Sequence, residues 1–121
     1  MLVVKKITRR ADYLRVQRSG KYVVCPTISI QWYNRADDSF SCDVAYGITV
    51  SGKVGNAVTR NRVKRRLRAA IAIVLQKTCT LLLASHKDLV IVARSGAATC
   101  DFNDLCSDIE KAIKKSLLLQ N

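Results

Sequence analysis

Apolar residues recur along this chain with two periods. The longest regular stretch runs from Ala57 to Gln76, where Val63, Leu67, Ala70, Ile71 and Val74 fall at i, i+4, i+7, i+8 and i+11. That spacing is one seam of a helix. Asn56, a strong N-cap residue, stands just before it, after a glycine turn at Gly52–Gly55. Upstream, period two takes over. Ile28, Ile30 and Trp32 alternate with Thr27, Ser29, Gln31 and Tyr33. Val44, Tyr46, Ile48 and Val50 alternate with Asp43, Ala45, Gly47, Thr49 and Ser51. Pro26 breaks the first of these strands, Lys21 to Tyr33, into two pieces. Asn34 to Ser39 reads as the hairpin loop joining it to the return strand from Cys42 to Ser51.

The remaining elements are shorter. Thr8 can cap a helix from Arg9 to Arg18, ended by Ser19–Gly20, with Ile7 as a hydrophobic staple. Ile7, Ala11 and Leu14 form its stripe, and Tyr13 lies off it, on a flank shared with Arg9, Val16 and Gln17. Thr78 to Ser85 either extends the long helix past a kink or covers the core. Asp88 to Ala93 is continuously apolar after its first residue and β-branched, as in a strand buried on both faces. After a loop from Arg94 to Thr99, Asp101 caps a last helix with the stripe Phe102, Leu105, Cys106, Ile109 and Ile113. Asp104 and Asp108 are read as its surface. The order αβββαβα predicts an α/β (α+β) two-layer sandwich. Its sheet is mixed, its helices lie mainly on one face, and residues 1–121 form a single domain.

Charge changes the picture. The 121 residues carry 21 Lys and Arg against 9 Asp and Glu, a net charge of +12. Apolar residues make up 49%, enough for a core. No acid occurs from Val44 through Lys87, a span holding Lys53, Arg60, Arg62, Lys64, Arg65, Arg66, Arg68, Lys77 and Lys87. A second basic group, Lys5 to Lys21, faces only Asp12. One face of the fold is therefore expected to be strongly positive, and its partner a polyanion. Six cations between Arg60 and Arg68 repel one another at helical spacing, which a polyanion would relieve. Arg60, Lys64 and Arg68 form one stripe beside the seam; Arg62, Arg65 and Arg66 form another around the back. Guanidinium forks suit phosphates, and the amides at the Asn56 helix start add an anion site.

Other chemistry is poorly supplied. The five cysteines include no CxxC pair, and His86 is the only histidine, so zinc and Cys–His catalysis are set aside. Free thiols in a reducing compartment are expected. Asp37 and Asp38 read as a turn, and His86 as a surface loop residue. The N-terminus lacks a signal-peptide h-region, and the apolar stretch from Ala69 to Ala84 is too interrupted to span a membrane. The chain is read as cytoplasmic, with no catalytic site of its own.

The run Val54-Gly55-Asn56-Ala57-Val58-x-Arg60-Asn61-Arg62-x-Lys64-Arg65-x-x-Arg68 resembles the signature of the bacterial ribonuclease P protein subunit, with Arg60-Asn61-Arg62 as its hallmark. The likeness covers about Thr8 to Lys115. It implies the family's sandwich with a left-handed βαβ crossover through the signature helix. It also implies a partnership with the catalytic RNA of ribonuclease P, an endoribonuclease that removes the 5′ leader of precursor tRNA. In that family the RNA carries the active site and its Mg2+; the protein itself binds no cofactor. The candidate RNA-binding set is Lys53, Asn56, Arg60, Asn61, Arg62, Lys64, Arg65, Arg66 and Arg68. The resemblance further implies a cleft for the single-stranded leader between the first helix and the sheet, with Tyr13 as its aromatic. Gln17 and Gln31 stand where members often carry further aromatics, so stacking is expected to be weaker or differently arranged. Gly52 replaces a frequent Lys, and Ala69 a frequent Glu. A monomer in a 1:1 complex with the RNA is expected. The alternative is a structural RNA-binding protein of ribosomal type, without a role in tRNA processing, which would leave precursor tRNA cleavage unchanged.

Overall fold

A computed structural model describes residues 2–36 and 42–118. The elements run β1 (Val4–Lys6), α1 (Arg10–Arg18), β2 (Tyr22–Val24), β3 (Ile28–Asn34), β4 (Val44–Thr49), α2 (Ala57–Lys77), α3 (Cys79–Leu82), β5 (Lys87–Ala93) and α4 (Phe102–Leu118). A 3-10 turn at Ser95–Ala98 precedes α4. The five strands lie in the order β1-β4-β5-β3-β2. β1, β4 and β5 are parallel to one another, and β3 is antiparallel to both β5 and β2.

The two faces of the sheet are covered unequally. Ile28, Ile30 and Trp32 of β3 and Leu89 and Ile91 of β5 meet the α2 seam and the Leu105, Ile109 and Ile113 stripe of α4 in the main core. All five residues of the expected seam are buried there. The opposite face holds a smaller cluster of Ile7, Val16, Cys42, Ala45 and Val90, covered by α1.

Three expectations need correction. First, β3 and β4 do not form a hairpin, because β5 lies between them. A strand apolar on both faces is best buried at the centre of the sheet, and β5 takes that place. Of the loop expected at Asn34 to Ser39, Asp37, Asp38 and Ser39 lie outside the described residues. Second, the N-terminal segment adds a strand. β1 is exposed but tied to the sheet: Ile7 N–H donates to the Tyr46 carbonyl at 2.8 Å. Asp43 accepts from Val3 N–H and from Ala84 N–H, both at 2.8 Å. Those bonds hold its carboxyl below the usual range. Third, Thr8 does not cap α1; Arg9 takes the N-cap position with no side-chain bond. The buried residues of α1 are Asp12 and Val16, whereas Ala11 is exposed. The flank that carries Tyr13 therefore turns inward.

That inversion has an electrostatic cause. Arg15 Nη2 donates to Asp12 Oδ1 at 3.1 Å and to Asp88 Oδ2 at 3.2 Å, while its guanidinium lies over the Tyr33 ring. Arg35 Nε lies 3.0 Å from Asp88 Oδ1, and both side chains are almost fully enclosed. Burial pushes the Asp88 carboxyl up, and the two arginines draw it back. A buried carboxylate is costly unless paired, so Asp88 fixes α1 against the sheet through Arg15.

Its chain neighbour points the other way. Lys87 is fully buried on the α4 side, where Nζ donates to Asn34 Oδ1 at 2.5 Å. It therefore does not belong to the positive face. Asp108 is also not a surface residue: it accepts from Thr27 N–H at 3.0 Å and from Thr27 Oγ1 at 2.6 Å, pinning the bend after Pro26 to α4.

Candidate nucleic-acid interface

The Asn56 side chain accepts from Thr59 N–H at 2.9 Å, the capping bond expected of it. Its oxygen is thereby engaged in the helix. Gly55 leaves room for this start, since a Cβ there would stand 2.8 Å from Thr59 Cγ2. From this cap α2 runs as one helix whose seam is locked in the core. The cations that share it are therefore held on a rigid rod.

They divide by what lies beside them. Lys64 and Arg68 line a groove with Tyr13, Tyr46, Gly47 and Ile48. Arg60, one turn before Lys64 on the same stripe, is half-buried. Asn61 and Arg65 are exposed, as is Lys53 in the preceding turn. Arg62 and Arg66 turn toward the 3-10 turn. Arg62 Nη2 donates to the Ala98 carbonyl at 3.1 Å, and Arg66 donates to the carbonyls of Ala97 and Cys100. Arg66 thus has a structural task that its place in the basic run does not announce.

The groove continues between α1 and the sheet. Arg10, Tyr13, Leu14 and Gln17 form its α1 wall; Thr49, Val90, Val92 and Gln31 form its floor. Tyr13, Gln17 and Gln31, far apart in sequence, are brought to one cavity of about 370 Å³. Tyr13 stands at the junction, since it also lines the part bounded by Lys64. Its ring lies on Gly47, where a Cβ would come within 2.3 Å of the phenol oxygen. The sequence reading did not single out Gly47, although an isolated glycine within a strand is a known mark of close approach. Thr49, Val90, Val92 and Arg10 were also missed, because a groove floor has no local signature.

Burial raises the thiols of Cys25 and Cys106, which opposes thiolate chemistry. All five cysteines are free. Among the described residues, no three His, Cys, Asp or Glu side chains cluster as metal ligands. No described helix is long and apolar enough to cross a membrane.

Fold and surface together define a small α+β domain with a cationic helix beside an aromatic-bearing groove. A model of the family Ribonuclease P matches residues 1–117. The ribonuclease P protein component of Gluconacetobacter diazotrophicus is 35% identical over 92% of this chain and 90% of its own. That of Streptococcus pyogenes is 30% identical over 95% and 88%. The RNase P protein of Staphylococcus aureus superposes with a TM-score of 0.71 at 27% identity, covering 92% of this chain and 94% of that one. That of Thermotoga maritima, at 18% identity and a TM-score of 0.69, shares the fold over 97% and 99%. The chain belongs to the ribonuclease P protein family. Its function is that of a protein subunit of this endoribonuclease, in tRNA processing.

Proposed function

We propose that this chain docks on the catalytic RNA of ribonuclease P through α2 and holds the single-stranded 5′ leader of precursor tRNA in the α1 groove. The observation that carries the reading is the meeting of Lys64 and Arg68 with Tyr13 in one groove. A phosphate-binding surface and a base-stacking surface are there continuous. Arg60, Arg62 and Arg65, with Lys53 before the helix, approach RNA phosphates as forks and point charges, and Asn61 adds a neutral amide donor. Tyr13 stacks a leader base. The scissile chemistry and the Mg2+ ions are assigned to the RNA, as membership of the family implies. The reading also takes the β4–α2–β5 crossover as left-handed, against the usual rule. It takes the protein as cytoplasmic, in a 1:1 complex with the RNA.

The test is reconstitution. Adding the folded protein to ribonuclease P RNA should raise multiple-turnover cleavage of precursor tRNA at low Mg2+, and binding should weaken steeply with salt. Absence of stimulation would overturn the reading in favour of a structural RNA-binding role.

A further inference from the structure

The floor of the groove is built in rows that cross the sheet. Gly47 pairs in register with Val90, Val90 with Gln31, and Gln31 with Tyr22. One row therefore spans β4, β5, β3 and β2. The next row on the same face is Thr49, Val92, Ser29 and Val24. Directly opposed residues in a sheet project from the same face. Val23, between Tyr22 and Val24, is buried in the main core on the other side, so Tyr22 and Val24 point to the groove side. Gly47, Thr49, Val90, Val92 and Gln31 already line the groove. Tyr22 and Val24 prolong the same two rows to the edge of the sheet.

At that edge both side chains are open to solvent. Tyr22 is 62% exposed and Val24 53%, whereas Val90 in the middle of the row is buried. Edge strands usually carry charge or bulges rather than bare apolar surface, and β2 presents an aromatic ring and an isopropyl group instead. Tyr13 sits over Gly47 at one end of the row. Three strand spacings of about 4.8 Å separate that end from Tyr22, about 14 Å in all. Between them Gln31 offers hydrogen bonds but no aromatic face.

We propose that Tyr22, backed by Val24, is a second base-stacking platform for single-stranded RNA, taking leader nucleotides that have passed Tyr13 and Gln31. This rests on the placement of the leader in the groove. It makes the useful leader longer than Tyr13 alone would serve. Recognition there is by stacking, which tolerates any base.

The experiment uses the reconstituted holoenzyme with Tyr22→Ala and Tyr22→Phe. Affinity is measured for precursor tRNAs with one-nucleotide and eight-nucleotide leaders, and for mature tRNA. Unchanged unfolding midpoints are expected for both variants, because the side chain is exposed. Tyr22→Ala should lower affinity for the long leader about 5- to 150-fold, the range for one lost base stack. It should leave the short leader and mature tRNA unchanged, and Tyr22→Phe should keep parental affinity. An equal loss on all three RNAs, no loss on the long leader, or a loss in Tyr22→Phe matching Tyr22→Ala would each overturn the proposal. If the parental holoenzyme shows no preference for leader-bearing RNA, the groove assignment itself falls and this proposal with it. If the parent shows the preference and Tyr22→Ala keeps it, only the Tyr22 platform falls.

Discussion

The Tyr13 ring lies directly on Gly47: a Cβ at that glycine would stand 2.3 Å from the phenol oxygen and 2.5 Å from the ring carbon that bears it. The strand thus yields the volume that the aromatic occupies, and ring and floor are matched. Gly47→Ala forces the ring out of its seat. The expected result is a selective loss of leader-bearing RNA, about 5- to 150-fold as for Tyr13→Ala, with mature tRNA unaffected. Overpacking should cost about 1–3 kcal/mol of stability. Filter-binding with both RNAs, beside urea unfolding, reads the two effects separately.

Arg65 and Arg66 are neighbours with different tasks. Arg65 is exposed, while Arg66 donates to the carbonyls of Ala97 and Cys100. Arg65→Ala should weaken binding to the catalytic RNA, lower the salt slope by about one, and leave the unfolding midpoint in place. Arg66→Ala should in addition lose about 1–3 kcal/mol of stability, as bonds from a charged donor are removed. Equal stability of the two variants would show that the Arg66 bonds do not anchor the 3-10 turn.

Asp88 joins α1 to the sheet. Asp88→Ala leaves Arg35 enclosed without that carboxylate and releases Arg15 from β5. Removing one partner from a buried ion pair costs about 3–5 kcal/mol. Thermal or urea unfolding should show a loss of that size. Since α1 carries Tyr13, preference for leader-bearing RNA should fall in parallel. Parental stability in the variant would refute this role.

Burial, with a smaller contribution from Lys21, lowers the Lys87 amine from 10.5 to about 8. The unfolded chain therefore holds this proton more tightly than the native one. Between about pH 8 and 10.5 unfolding takes up a proton at this site, so the site's contribution to stability rises with pH. Below pH 8 both states are charged, and the buried ammonium is a standing cost. Lys87→Met should be more stable than the parent at pH 7, and the advantage should shrink as pH rises toward 10. Urea midpoints at pH 7, 8, 9 and 10 measure the difference. A difference that does not vary with pH would mean that Lys87 does not titrate in this window.

Much of the main core could be read from spacing alone. Val63, Leu67, Ala70, Ile71 and Val74 repeat on one side of α2, and Asn56 announces its start. Pro26 split the expected strand from Lys21 to Tyr33 into β2 and β3, and the apolar run after Asp88 found the centre of the sheet. What escaped depended on partners distant in sequence. Lys87 and Asp88 look like a polar margin, yet each is buried on its own side, among groups contributed by β3, α4 and α1. Val4–Lys6 is too short and exposed to signal a strand; it is held at the sheet edge because Asp43 and Tyr46 receive the amides of Val3 and Ile7 on either side of it. In the site, the basic helix was legible as a string of charges, but the engagement of Arg66 with the turn before α4 was not. Tyr13 was placed in a cleft by the family likeness, and Gln17 and Gln31 do share its cavity. The residues beneath them come together only through the register of β3, β4 and β5.

The turn at Ser51–Gly55 joins the strand beneath Tyr13 to the helix that bears the cations. Only six residues, 50–55, separate the end of β4 from the N-cap of α2. The seam of that helix is clamped in the core, so neither part can drift relative to the other. On the proposed reading the molecule acts as a jig. A substrate strand in the groove and an RNA scaffold on the helix are held at a fixed offset, set by one tight loop rather than by a hinge.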